Sequence, residues 1–309
     1  MTSIVFPGQG SQFVNMSKDF YDNFSKAKET FELIEEITKI DIKKIIFENS
    51  SNLINQTQFT QIAVFCASIS IYNVLKDVVD LQKLNISHML GHSLGEYTAL
   101  TASGILSIED CATLLKKRGQ LMQDAYLPNQ SGMAAIIGMD CSSIEGIIDN
   151  MKLNVEIAND NSPNQIVISG TSVEIAKSEN FFKKAGAKRF IPLNVSAAFH
   201  SKLMINAENK MNNFINQTSF KNSSIYIVSN YTGEISNNNS IISQNLSKQM
   251  SNRVRWVESV LSLEKNKDIN IIEIGPGRIL TGLIKRISNN FNIKNIEFIS
   301  DIESLENGF

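Results

Sequence analysis

The residues best suited to chemistry in this chain occupy five consecutive positions, Gly91-His92-Ser93-Leu94-Gly95. They match G-x-S-x-G, a pattern that sets a serine on a sharp strand-to-helix turn while the glycines let strand and helix approach closely. An apolar run, Ile86–Leu90, precedes the turn, and a helical pattern, Leu94–Ala102, follows it. A helix starting just after Ser93 places a partial positive charge beneath the hydroxyl. The Leu94 N–H can then donate to a tetrahedral oxyanion. A plainer reading stands beside this one, a glycine-rich turn whose serine only caps a helix. The strand before and the helix after favour the nucleophile.

A serine hydroxyl needs a general base, and the chain offers three histidines. His92 adjoins the serine, where neighbouring side chains point apart. His88 falls within the expected strand and reads as a core histidine. His200, in Ser196-Ala197-Ala198-Phe199-His200-Ser201, is the expected base. Arg118 is the other reactive candidate. Ser107-Ile108-Glu109-Asp110 reads as a helix start capped by Ser107. Ile108, Cys111, Leu115, Gly119 and Met122 then mark one apolar face at helical spacing. Arg118 stands at the edge of that face, where a guanidinium needs an anionic partner. Two partners fit: a bound carboxylate gripped by the fork, or an internal Asp or Glu.

The elements that must position these residues alternate along the chain. Ser3–Phe6, Ile86–Leu90, Ile225–Ser229 and Ile271–Ile274 read as short buried strands. Three of them end at the turns Pro7-Gly8-Gln9-Gly10, Gly91 and Gly275-Pro276-Gly277. Helices follow at Leu94–Ala102 and Ile279–Ile287, so the body is an α/β fold with a parallel sheet. The middle of the chain has a different order. Strand Met133–Gly138, helix Ser143–Met151, strands Val155–Asn159 and Ile166–Gly170 around the turn Asn161-Ser162-Pro163-Asn164, helix Val173–Ala185 and strand Lys188–Leu193 make β-α-β-β-α-β. That is the ferredoxin-like arrangement. The expected organisation is an α/β-hydrolase-like parallel-sheet body, residues 1–126 and 196–309, with a ferredoxin-like subdomain inserted at 127–195 and a ligand cleft between them. Asn237–Ser240 reads as a surface loop. The glycine turns at 8–10 and 275–277 fit neither G-x-G-x-x-G nor a P-loop, so they read as tight turns rather than phosphate cradles.

Composition narrows the classes. A net charge of −2 gives no nucleic-acid footprint. Cys66, Cys111 and Cys141 lie far apart without a CxxC pair, which fits reduced thiols. Three histidines are too few to suggest a histidine metal centre. Met1–Pro7 carries no basic segment followed by an apolar one, so no signal peptide is read there. The apolar stretch Ile62–Leu75 is broken by Ser68, Ser70 and Asn73 and falls short of the ~18 residues that span a bilayer. The expectation is a cytoplasmic, soluble monomer with no membrane or nucleic-acid partner.

At this point the chain resembles the malonyl-CoA:acyl-carrier-protein transacylases of fatty acid synthesis and the stand-alone acyltransferases serving modular polyketide synthases. The likeness runs nearly end to end, through Phe6-Pro7-Gly8-Gln9-Gly10-Ser11-Gln12, Thr60-Gln61, Gly91-His92-Ser93-Leu94-Gly95-Glu96, Arg118-Gly119, Met133–Gly138, Asn161-Ser162-Pro163, Phe199-His200-Ser201 and Gly275-Pro276-Gly277. The resemblance implies that Ser93 is acylated and that His200 is its partner in a dyad. A backbone carbonyl orients the histidine in that family, and the matching position is Gln249. Gln9 and Leu94 would supply the oxyanion N–H groups, Arg118 would bind the malonyl carboxylate, and Gln61 would line the cleft. Ile62 stands where the family often has proline, a departure that bears on a helix start. Phe199 matches the malonyl-selecting version of its segment. A phenyl ring leaves little room for an α-methyl branch, a discrimination worth about 1–3 kcal/mol.

The implied reaction is ping-pong. Ser93 attacks malonyl-CoA, coenzyme A leaves, and the phosphopantetheine thiol of an acyl carrier protein takes the malonyl group. Coenzyme A enters as a substrate thioester, and no cofactor or metal is called for. Lys188-Arg189 and Lys285-Arg286 either meet coenzyme A phosphates or an acidic carrier protein, or are solvated surface charge. Two rivals stand. An acyl hydrolase of the same fold would use the serine and histidine but have no need of Arg118. An idle carrier-protein-binding module would need neither Ser93 nor His200.

Overall fold

The computed structural model describes residues 1–49, 51–127 and 129–306. Positions 128 and 307–309, which belong to the expected subdomain and body ranges, lie outside the described residues, as does position 50. Among the described residues there are ten strands: β1 (Thr2–Phe6), β2 (Ile86–Gly91), β3 (Ser131–Ile137), β4 (Val155–Ser162), β5 (Gln165–Thr171), β6 (Arg189–Pro192), β7 (Tyr226–Val228), β8 (Ile235–Ser236), β9 (Asn270–Ile274) and β10 (Asn292–Ile296). Six form the body sheet in the order β10-β9-β1-β2-β7-β8. Its pairs are parallel from β10 through β7, and β8 is antiparallel.

The inner strands are rich in apolar residues because both faces of the sheet are covered. Ile4, Phe6, Met89, Ile227, Ile272 and Ile274 pack into one core, while Val5, Leu90, Val228 and Ile271 pack into a second core on the opposite face. The register sets Phe6 beside Gly91. The turn after β1 and the turn after β2 therefore emerge side by side at the carboxyl ends of the strands, where open α/β sheets place their ligands.

Four strands make a separate antiparallel sheet in the order β4-β5-β3-β6, with helices Cys141–Asn150 and Ser172–Lys184 supplying the two α elements of a ferredoxin-like unit. Ala134, Ile136, Ile166 and Ile168 on one face pack against Ile144, Ile175 and Phe182. Met133, Ala135, Ala158 and Val167 on the other face join the body's core. Backbone hydrogen bonds from Asp160 N–H to the Val254 carbonyl (3.0 Å) and from Val254 N–H to the Ala158 carbonyl (2.8 Å) join β4 to the body.

Three expectations change. Asn237–Ser240 is not simply a loop: Asn238 accepts from the N–H groups of Ser240 and Ile241 and caps the helix Asn239–Lys248, the common use of Asn at a helix start. The turn at 161–164 is tighter, because β4 continues through Ser162. The apolar stretch around Ile62–Leu75 belongs to a 22-residue helix, Thr57–Val78, that is long and apolar enough to cross a membrane. Ser70 does not break it, since its hydroxyl bonds back to the Ala67 carbonyl of the same helix. The helix is buried from Thr60 to Leu75 against its neighbours, so it acts as the core helix of the body. The sequence reading also passed over β10. Its polar composition, Asn-Ile-Lys-Asn-Ile, suits an edge strand only partly buried.

Candidate active site

Ser93 sits between the end of β2 and the helix Leu94–Ala102, with φ 54° and ψ −106°. A serine in this region costs about 1–3 kcal/mol and must be held by its surroundings. The close approach is set by glycine. A Cβ on Gly91 would lie 2.1 Å from Gly95 backbone atoms, and one on Gly95 would lie 2.2 Å from the Phe6 carbonyl oxygen. Two buried side chains hold the serine backbone. Its N–H donates to Asn230 Oδ1 (2.7 Å), and its carbonyl accepts from Gln249 Nε2 (2.9 Å). Asn230 also donates to the Gly91 carbonyl (2.7 Å).

His200 reaches this serine from the segment after β6. Its backbone is fixed by the small sheet and by the body: Ser169 Oγ on β5 donates to the Phe199 carbonyl (2.5 Å), Ala198 N–H donates to Ser131 Oγ on β3 (3.2 Å), and His200 N–H donates to the Met250 carbonyl of the body (3.1 Å). His200 Nε2 lies 2.8 Å from Ser93 Oγ. On the far side of the ring, Nδ1 faces the carbonyls of Gln249 (3.0 Å) and Asn252 (3.2 Å). Carbonyls only accept, so Nδ1 carries the proton and the Nε2 lone pair faces the serine hydroxyl. Burial, helped by the Arg118 charge, pushes the imidazole's pKa down to about 3. The ring is therefore neutral and able to take a proton at physiological pH.

Arg118 lies on the helix Ile108–Gln123, which Ser107 caps by accepting from Asp110 N–H (3.0 Å). Only 1% of Arg118 is exposed, which makes it one of the largest fully buried side chains. One terminal nitrogen donates to Gln61 Oε1 (2.6 Å); the other donates to Gln249 Oε1 (2.9 Å) and to Ser93 Oγ (3.1 Å). The guanidinium stacks over Tyr97 at 5.3 Å. Among the described residues no Asp or Glu oxygen comes within 4.0 Å of it, and its Nε–H has no partner. The internal ion pair that was the alternative for this arginine is therefore not formed: its hydrogen-bond partners are neutral.

A cavity of about 90 Å³ opens between these groups, lined by Gln9, Leu94, Met122, Met133, Val195 and Phe199 together with Ser93, Arg118 and His200. Sites for whole drug-sized ligands run to about 300–1,000 Å³, so this space admits only the reacting end of a ligand. The N–H groups of Gln9 and Leu94 have no hydrogen-bond partner among the described residues. Gln9 Nε2 donates to Thr57 Oγ1 (3.2 Å), which meets Ser196 Oγ (3.0 Å), so three segments join beside the site. A second opening of about 470 Å³ reaches His200 from the side of Lys202, Tyr231 and Arg253.

The structure brings Ser93, His200, Arg118, Gln61, Gln249, Gln9, Leu94 and Phe199 into one place. His92 is engaged elsewhere, its Nε2 2.7 Å from Asn161 Oδ1 and its ring beside Trp256. His88 lies near the other end of β2, 2.6 Å from the buried Asp268, whose same carboxylate oxygen accepts from Ser3 and Ser87. Sequence reasoning missed Asn230 and Asn252, gave Glu96 no role, and assigned Gln249 only its carbonyl. Asn230 follows β7, and only the pairing of β7 with β2 reveals its proximity to the elbow.

The chain was also compared with known proteins. The sequence model of the acyl transferase domain family matches residues 4–303. The malonyl CoA-acyl carrier protein transacylase of Bacillus subtilis is 35% identical over 307 residues, covering 98% of this chain and 95% of that protein. The structure of the malonyl CoA-acyl carrier protein transacylase from Clostridium perfringens superposes with a TM-score of 0.91 at 35% identity, over 99% of this chain and 96% of the other. A malonyl-transacylase in complex with a type II PKS acyl-carrier protein gives a TM-score of 0.94 at 33% identity, over 99% of both chains. The chain belongs to the acyl transferase domain family and, within it, to the malonyl CoA-acyl carrier protein transacylases.

Proposed function

We propose that this protein moves a malonyl group from coenzyme A to the phosphopantetheine thiol of an acyl carrier protein through an acyl-serine. The observation that carries the reading is Arg118, a buried guanidinium 3.1 Å from the Ser93 hydroxyl whose hydrogen-bond partners are all neutral. A malonyl carboxylate would supply the missing anion in bidentate form. A hydrolase of neutral acyl chains gains nothing from such a group.

In the proposed sequence, Ser93 Oγ gives its proton to His200 Nε2 and attacks the thioester carbonyl. The carbonyls of Gln249 and Asn252 hold the charged imidazolium. The oxyanion accepts from the unpaired N–H groups of Gln9 and Leu94, and the amino end of the helix at Leu94 adds a favourable field. Coenzyme A departs with the proton from His200. The carrier-protein thiol then loses its proton to His200 and attacks the malonyl-serine, and Ser93 leaves with that proton. Phe199 fills the wall beside the acyl α-carbon and disfavours branched groups. Gln61 orients Arg118.

The reaction needs no metal or redox cofactor. The exposed pairs Lys188-Arg189 and Lys285-Arg286 converge on one edge, since Ile137 pairs with both Gln165 and Arg189 and Arg286 donates to Gln165. That edge suits phosphates or an acidic carrier protein. In this reading the protein is a cytoplasmic monomer without nucleic-acid or membrane partners, and the residues 1–126 and 196–309 form the catalytic body around the 127–195 subdomain. The test is to supply malonyl-CoA with holo acyl carrier protein and follow both malonyl-carrier formation and free malonate. Transfer should far exceed hydrolysis; hydrolysis as the main outcome would restore the hydrolase.

A further inference from the structure

Glu96 is a buried carboxyl, 1% exposed, on the helix that starts at Ser93. Its Oε2 accepts from Gln249 Nε2 (2.7 Å) and from Asn230 N–H (3.2 Å). These are the two residues whose side chains hold the carbonyl and the N–H of Ser93. Gln249 also spans the two opposite charges of the site, with its amide oxygen on Arg118 and its amide nitrogen on Glu96. Arg118, from the helix Ile108–Gln123, and Tyr97, adjacent on its own helix, are the charged and titratable groups that act on Glu96. From the 229–230 turn and residue 249 it meets Ser229, Asn230 and Gln249, all neutral.

We propose that Glu96 is a proton-linked positioning residue, which anchors both clamps of the Ser93 backbone and takes up a proton when an acyl carboxylate occupies Arg118. In the free protein Glu96 is the anion nearest in effect to Arg118, acting through the Gln249 amide. A malonyl carboxylate arriving at Arg118 satisfies the guanidinium and withdraws the attraction that keeps Glu96 ionised. Gln249 and Asn230 both donate to Oε2, so one proton from solvent adds to Oε1, and no covalent bond changes. Burial already pushes this carboxyl up to about 7, against the pull of its hydrogen bonds and of Arg118. It therefore titrates in the neutral range in the free protein. The linkage makes malonylation more favourable as pH falls through that value, and it ties acyl-group choice to protonation without any contact between Glu96 and substrate.

The inference rests on the malonyl-transfer reading, and one experiment separates the two. Malonyl-CoA is added to the enzyme in weakly buffered solution with a pH indicator, while mass spectrometry counts the malonyl-enzyme. At pH 7 wild type should take up a measurable fraction of a proton per malonyl group, and less at pH 5.5, where more of Glu96 is already protonated in the free protein. Glu96→Gln should form the adduct with no uptake at either pH. An adduct on wild type without uptake at pH 7 overturns the inference, as does undiminished uptake in Glu96→Gln. If that variant does not fold, the wild-type comparison of the two pH values decides alone. Failure of wild type to form any adduct overturns the transfer reading, and this inference with it.

Discussion

Replacing Arg118 with alanine should separate malonyl-CoA from acetyl-CoA. The guanidinium is buried, and a bound malonyl carboxylate would be its ionic partner. Removing one member of a buried charge pair costs about 3–5 kcal/mol. At about 1.4 kcal/mol per tenfold, kcat/KM for malonyl-CoA should fall by roughly 10²–10³-fold or somewhat more. Acetyl-CoA has no carboxylate to lose. It forfeits only the hydrogen bond from Arg118 to Ser93 Oγ at 3.1 Å, a bond worth about 0.5–1.5 kcal/mol, or roughly two- to twelvefold. The mutation also strips Gln61 Oε1 and Gln249 Oε1 of their donor. Each orphaned acceptor costs about 1–3 kcal/mol of stability, partly offset because a desolvated cation disappears. Folding is therefore checked by circular dichroism before both substrates are measured on both proteins. Equal losses for malonyl- and acetyl-CoA would refute the carboxylate role and make Arg118 a structural residue.

His200→Ala should slow acylation by roughly 10²–10⁴-fold, whereas His88→Ala should leave the rate near wild type and cost about 1–3 kcal/mol of stability, because the buried Asp268 would lose its His88 contact and keep only the Ser3 and Ser87 hydroxyls; chemical denaturation and single-turnover kinetics on both variants distinguish these outcomes. Phe199→Ser should raise methylmalonyl-CoA use relative to malonyl-CoA by about tenfold, within the 1–3 kcal/mol that one methyl commands, and an unchanged kcat/KM ratio would place the α-carbon wall elsewhere. Because burial and the Arg118 charge push His200 down to about 3, kcat/KM for malonyl-CoA should not fall between pH 7 and pH 5, and an acid limb centred near 6.5 would contradict the neutral-base account. Stability runs the other way: the unfolded histidine, near 6.5, binds a proton that the folded one refuses, so this contribution is complete above pH 6.5 and is lost as pH falls toward 3, a trend that urea unfolding would show.

The parts of the fold visible in the sequence were those where one physical demand dominates. β1, β2 and β9 read clearly because strands covered on both faces carry consecutive apolar residues, here Ile4, Val5 and Phe6, Met89 and Leu90, and Ile271 and Ile272. The elbow read clearly because close backbone approach requires Gly91 and Gly95. β10 was invisible because a partly covered edge tolerates polar residues. The Asn238 cap looked like a loop because the same side chain serves both. At the site, Ser93 could be named from its motif, His200 by elimination among three histidines, and Arg118 from helical spacing. The neutrality of Arg118's partners could not, since it depends on Gln61 and Gln249 arriving from segments 57 and 131 positions away. Asn230 and Glu96 were illegible for the same reason. Their work is to hold other side chains, and it appears only after β7 pairs with β2 and the elbow helix folds beneath them.

The central claim is a malonyl group carried on one serine, and intact-protein mass spectrometry after brief exposure to malonyl-CoA tests it most directly. Wild type should gain a single malonyl adduct, peptide mapping should locate it at Ser93, and holo acyl carrier protein should remove it. Ser93→Ala, which keeps the elbow, His200 and Arg118, should gain none. An adduct of the same mass on Ser93→Ala, or none on wild type, would contradict the account.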